Sequence, residues 1–201
     1  MARVHAFIDG FNLYHRLKGI DGGQCRWLDL RKLVARFLEK EDELQKVVYF
    51  TAYFRGKPEA IPRHKVYIDA LASVGVEKML GRFQPVKRHC GLCGGHYKSH
   101  EEKKTDVQLS VQILRGAFRG EYDKLVLLTA DSDQVPTLAE LRDGFPSIHT
   151  KVLFPLGQKT DELSKHADTH HRLQEKHLRE CQLPDLIESE GKRICRPDSW
   201  R

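Results

Sequence analysis

At 201 residues, with a formal net charge of +6 and a pI near 9.1, the chain has the length of one domain with its own core and is short for two. No apolar run approaches the roughly 20 residues of a membrane span, and the N-terminus lacks the basic, apolar and small-residue regions of a signal peptide. Five cysteines are an odd number for a secreted disulfide framework, so the expectation is a cytoplasmic protein with reduced thiols and no membrane association.

Short apolar runs alternate with longer amphipathic ones, which predicts an α/β fold around a largely parallel sheet. The first strand, Val4 to Asp9, delivers a carboxylate from an apolar run into a turn at Gly10. An ionised acid there is costly unless something positive pairs with it, and a metal is the natural partner. Asn12 opens a short helix to Lys18 and can cap it or turn its amide toward the same spot. Capping that helix is the other role open to Asp9. After a Gly-rich loop at 19–23, Asp29 is placed to cap an amphipathic helix with Leu30, Leu33, Val34, Phe37 and Leu38 on its core face.

The second strand runs from Val47 to Phe54, and a helix from Pro62 to Ser73 is closed by Gly75. The third strand is expected over Val76 to Phe83. A helix from Lys103 to Phe118 should bury Val107, Val111, Ile113 and Leu114. Leu125 to Thr129 reads as the fourth strand, Leu138 and Leu141 mark the next helix, and Lys151 to Pro155 is the fifth strand. Beyond Gly157 two short helices are expected, carrying Leu163 and Ala167, then Leu173 and Leu178. Residues 183–201 show little periodicity and read as a tail or extended arm. The expected organisation is a main domain over 1–168, a basic insertion at 82–104, and a largely helical C-terminal extension over 169–201.

Residues 158–201 carry equal numbers of acids and bases, so the positive excess lies upstream. Much of it falls in the insertion, where Arg82, Lys87, Arg88, Lys98, Lys103 and Lys104 face only Glu101 and Glu102. Such a surface favours a polyanion, and nucleic acid is the usual one. The same segment contains Cys90 and Cys93 at zinc-knuckle spacing, with glycines that permit tight turns around sulfur. Cys90, Cys93, His96 and His100 form the preferred Zn²⁺ set. With a single C-x-x-C, a reduced thiol pair in a loop is the alternative. His166, His170, His171 and His177 lie in polar helical sequence and read as solvated.

In a parallel sheet, residues at the carboxyl edges of the strands face one crevice. Asp9 ends strand one, Asp131 and Asp133 follow strand four, and Asp106 sits in the first turn of a helix that can point at the same crevice. Converging acids raise one another's pKa unless a cation compensates, and hard Mg²⁺ or Mn²⁺ suits oxygen donors. Such a metal can activate water and stabilise charge on a phosphate. Taken singly, each acid has capping as its alternative role. Two other readings fail on spacing: no His-x-Glu precedes the C-x-x-C as a cytidine deaminase requires, and Phe11 stands where a haloacid-dehalogenase-like phosphatase needs a second Asp.

Three segments in order, Phe7-Ile8-Asp9-Gly10-Phe11-Asn12-Leu13, Lys104-Thr105-Asp106-Val107 and Leu128-Thr129-Ala130-Asp131-Ser132-Asp133, resemble the NYN domain family of PIN-like, metal-dependent ribonucleases. The resemblance covers roughly residues 3 to 168. It implies a PIN-like α/β/α sandwich, a divalent-metal site built by acids, and hydrolysis of RNA phosphodiesters. By position it makes Asp9, Asp106 and Asp131 the core metal-binding acids and Asp133 a further ligand or orienting group. Asn12 becomes a supporting polar group and Lys104 a phosphate contact. The chain departs at Ala130, where many relatives have Gly, and at Gln134, where many have an aromatic residue. The function expected is therefore a metal-dependent ribonuclease, an endonuclease by preference, with Lys87, Arg88, Lys98, Lys103 and Lys104 holding RNA. The alternative is a weakly active or inactive RNA-binding protein on the same fold, and a homo-oligomer is compatible with either.

Overall fold

The computed structural model describes the chain except Lys18, Gly19, Arg55, Cys90 and Glu190; for Asp21, Gly22 and residues 98–102 it describes the backbone alone. The elements begin with β1 (Ala2–Asp9), α1 (Gly10–Leu17), α2 (Leu30–Ala35), β2 (Asp42–Thr51), α3 (Ile61–Ser73) and β3 (Val76–Leu80). A hairpin of β4 (Arg82–His89) and β5 (His96–Lys103) follows, then α4 (Thr105–Phe118), β6 (Lys124–Leu128), α5 (Val135–Gly144) and β7 (His149–Phe154). The chain continues with α6 (Asp161–His166), β8 (Thr169–Arg172), α7 (Glu175–Glu180), β9 (Leu186–Ser189) and β10 (Lys192–Cys195).

Six strands pair in parallel in the order β3-β2-β1-β6-β7-β8. The sheet grows from β1 toward β3 on one side and restarts with β6 on the other. That reversal puts the topological switch point between β1 and β6, where an open α/β sheet forms its ligand crevice. Side chains alternate between the two faces. Val4, Ala6 and Ile8 of β1 and Val126 and Leu128 of β6 join a core with Leu13, Leu33 and Leu71 from α1, α2 and α3. Phe7, Leu125 and Leu127 point the other way, into a core with Leu109 and Ile113 of α4, Leu138 of α5 and Leu163 of α6. Burial on both faces explains why these strands are almost continuously apolar. By the same alternation, Asp9 and Thr129 emerge on the α4–α5 side.

The helix starts follow from local chemistry. Asp29 accepts a hydrogen bond from the Lys32 amide and caps α2 as expected, and Gly75 closes α3 at φ +76°, a conformation open to glycine. No helix among the described residues is long and apolar enough to cross a membrane.

Three sequence expectations are corrected. The strand expected over 76–83 breaks at Gly81, whose amide donates to the Thr51 carbonyl. A Cβ at that position would sit 2.2 Å from Thr105 Oγ1, so the chain leaves the sheet there to form the β4–β5 hairpin. On α4 the core stripe is Leu109, Ile113, Gly116 and Ala117, while Val107 and Val111 are 69% and 53% exposed. The helix carries two apolar stripes, and the one holding Gly116 wins because Tyr122 packs against that glycine, closely enough to leave no room for a Cβ.

Residues 183–201, expected as a tail, instead fold back. Trp200 packs 6.3 Å from Trp27 and 5.8 Å from Tyr67, ring centre to ring centre, and the Trp27 indole donates to the Pro184 carbonyl at 2.8 Å. Anchoring by single aromatic residues leaves no periodicity to read. The C-terminal region also adds β8 to the sheet beside β7 and contributes the short β9–β10 hairpin.

Candidate metal centre

Asp9 is the last residue of β1 and only 5% exposed. Both of its oxygens are held. Oδ1 accepts from the Asn12 backbone amide at 2.9 Å, and Oδ2 accepts from the Thr129 hydroxyl at 2.9 Å. The first contact is the capping role that the sequence left open, and capping leaves a lone pair on each oxygen. Asn12 Oδ1 in turn accepts from the Ala130 amide at 3.3 Å, so Asn12 braces the two strand ends.

Asp131 follows β6. Its amide donates to Thr129 Oγ1 at 3.1 Å, and its Oδ1 accepts from the Asp133 amide at 3.0 Å. Asp106 stands in the first turn of α4, where the helix dipole favours an acid. The turn into that helix passes through Lys104 at φ +83°, which is the one non-glycine residue with positive φ among those described and lies in a region that costs a side chain energy. Gln134, almost fully buried, reaches from the turn after Asp131 to α4. Its Nε2 donates to the Asp106 carbonyl at 3.5 Å, and its Oε1 accepts from Ser110 and Thr137 at 3.1 and 3.3 Å. Gln134 thus clamps α4 through hydrogen bonds.

Asp9, Asp106 and Asp131 each offer an oxygen, and the three oxygens lie within 4.8 Å of one another. Asp133 is exposed and outside this trio. Burial, followed by the charges of Asp106 and Asp131, pushes the Asp9 carboxyl up to about 6 against the pull of its two hydrogen bonds. Asp106 is likewise raised, by burial and then by Asp131 and Asp133. Negative charge is thus gathered at one point, and an all-oxygen donor set of this size could hold a hard divalent cation.

The basic residues lie on the neighbouring hairpin. Lys87, Arg88, Lys103 and Lys104 are exposed, and the ladder pairs Arg82 with Lys103 and Lys87 with Lys98. Of the expected zinc set, Cys93 and His96 are exposed near the hairpin tip. Cys90 and the His100 side chain lie outside the described residues.

Sequence reasoning missed Thr129 and Gln134, although both sit within or beside the Thr-Ala-Asp-Ser-Asp motif. It also missed a cavity of about 350 Å³ on the α1–α3 side, lined by Gly10, Phe11, Phe54, Phe83 and Trp200 among others.

A model of the NYN domain matches residues 3–174. The chain belongs to the NYN domain family. One relative of this NYN protein is the 6-hydroxy-3-succinoylpyridine 3-monooxygenase HspA of Pseudomonas putida, 29% identical over 109 residues; the match spans 50% of this chain and 33% of that protein. Among solved structures, a protein of unknown function from Vibrio parahaemolyticus superposes with a TM-score of 0.58 at 17% identity, covering 87% of this chain and 94% of its own. That likeness speaks to the fold alone, a PIN-like α/β sandwich.

Proposed function

We propose that this NYN protein is a metal-dependent ribonuclease. The observation that carries the reading is the trio Asp9, Asp106 and Asp131 at the switch point of the sheet, in a family of nucleases. Mg²⁺ or Mn²⁺ held by these acids would activate a water and stabilise charge developing on a phosphate. Thr129 and the Asn12 amide fix the orientation of Asp9, and Gln134 holds the helix that presents Asp106. Asp133, exposed and outside the trio, would act by orienting water or as a further ligand. Lys104, two residues before Asp106, and the hairpin cations Lys87, Arg88, Lys98 and Lys103 would contact backbone phosphates.

The test is a Mn²⁺-dependent assay on end-labelled RNA, run beside Asp131→Asn. Cleavage by the parent and its loss in the variant are expected; no cleavage by either would favour an RNA-binding role. Cys90, Cys93, His96 and His100 are proposed as a structural Zn²⁺ site in the hairpin. Elemental analysis of protein purified without added metal should then find about one zinc per chain, and a content near zero would dismiss that site.

A second reading is favoured by the cavity on the α1–α3 side, which is aromatic and lined by cations, and by the name of the Pseudomonas relative. It is that the chain binds a small heteroaromatic acid. Saturable binding of such an acid, with no RNA cleavage, would support it.

A further inference from the structure

The cavity of about 350 Å³ falls within the size range of small-ligand sites, roughly 300–1,000 Å³. Its walls come from α1, the end of β2, the start of α3, the base of β4 and the C-terminal turn. Phe83 meets Phe54 edge-on at 5.0 Å and lies 5.9 Å from Phe11, while Trp200 lines the cavity from the core side. Arg26, Lys57 and Arg63 also line it, and among the described residues no Asp or Glu does. Such a lining selects a ligand with a flat aromatic body and a negative charge. His64 borders the cavity with its Nε2 3.2 Å from Thr51 Oγ1.

The cavity lies at the same carboxyl edge of the sheet as the acids, on the opposite face. Gly10 and Phe11, which line it, directly follow Asp9, and Thr51 of the lining follows Phe50, the β2 residue paired with Asp9. A strand that crosses this edge of the sheet passes from the acids toward the cavity. Phe83 belongs to the basic hairpin, so one wall of the cavity lies on the hairpin face that carries Lys87.

We propose that the cavity binds one unpaired nucleotide of the strand that is cut at the acids, its base against Phe54 and Phe83 and its phosphate on Lys57 and Arg63. The proposal rests on the ribonuclease reading and deepens it. A base can enter only if it is unpaired, so the substrate class is single-stranded RNA, and because every base offers a π-face the site tolerates sequence. The same chemistry would admit a free nucleoside monophosphate, and the test must separate the two sources.

The chain has two tryptophans, Trp27 and Trp200, and Trp200 lines the cavity, so binding can be read by fluorescence in EDTA, without catalysis. Adenosine 5′-monophosphate should quench saturably, and an unpaired oligonucleotide should compete with it. Arg63→Gln should weaken both at least fivefold, and Ala60→Phe, which fills the cavity, should abolish both in a protein with unchanged far-UV circular dichroism. In the Mn²⁺ assay Arg63→Gln should raise KM for a single-stranded substrate at least fivefold. The proposal is overturned by no saturable quench, by mononucleotide binding that the oligonucleotide does not displace, or by binding of a small heteroaromatic acid alone. Absence of RNA cleavage with both binding signals intact would refute the ribonuclease reading and leave the nucleotide site standing.

Discussion

The hydroxyl of Thr129 donates to Oδ2 of Asp9 at 2.9 Å across the junction of β6 and β1. Together with the Asn12 amide on Oδ1, it fixes how this carboxylate faces the other two acids. Groups that orient a metal ligand in this way typically contribute about 10–100-fold in metal affinity. Thr129→Val, which keeps the shape and removes the donor, should weaken Mn²⁺ binding by about that factor, as titration calorimetry would measure. Binding equal to the parent would show that the hydroxyl only packs.

Asp9→Asn and Asp131→Asn should each lower cleavage by about 100-fold or more, on the order of 3 kcal/mol of transition-state stabilisation. Metal-free stability should be unchanged or higher, because each variant removes one repelling charge. For Asp9 the sign follows from a folded pKa raised to about 6 against 3.8. The folded state binds the proton more tightly, so this group's contribution to stability grows as pH falls from about 6 toward 4. Denaturation in EDTA should show Asp9→Asn lacking that component.

His64 acts in the opposite direction. Burial pushes its imidazole down to about 4 from 6.5, so the unfolded chain takes up the proton first. Its contribution to stability is present in full above about 6.5 and declines as pH falls toward 4. His64→Gln should flatten the loss of stability in that window. An unchanged profile in chemical denaturation would assign the acid sensitivity to other groups.

RNA affinity should fall steeply with salt if the hairpin neutralises phosphates. Replacing Lys87, Arg88 and Lys98 with Gln should reduce the slope of log K against log salt by about 2, since each phosphate of a single strand that a cation neutralises adds about 0.7 to it. An unchanged slope would move the RNA path to the face carrying Arg115 and Arg119.

The fold was legible because β1, β2 and β6 are buried on both faces and therefore read as apolar runs, with amphipathic helices between them. The acids were legible because a carboxylate ending such a run serves no packing purpose. Thr129 and Gln134 were not, since a threonine or glutamine acquires meaning only through its partner: Asp9 lies 120 residues from Thr129, and Asp106 lies 28 from Gln134. The core face of α4 was misassigned because Val107 and Val111 look like core while small Gly116 and Ala117 do not. The cavity was hidden for a related reason, since its walls combine residues between Gly10 and Phe83 with Trp200.

The three acids come from β1, from the start of α4 and from the turn after β6, and β1 is flanked on both sides only when β6 is in place. Closing so long a loop carries an entropic cost that local structure does not repay, so the site exists only where the long-range pairing of β1 and β6 is formed. A cation bound there ties together the beginning, middle and later part of the chain. By mass action, metal at 100 times its Kd would add about 2.7 kcal/mol to global stability. With such a cation bound, ion occupancy and the integrity of the whole sheet would form one linked equilibrium, and a chain that lost its fold would also lose its means of holding the ion.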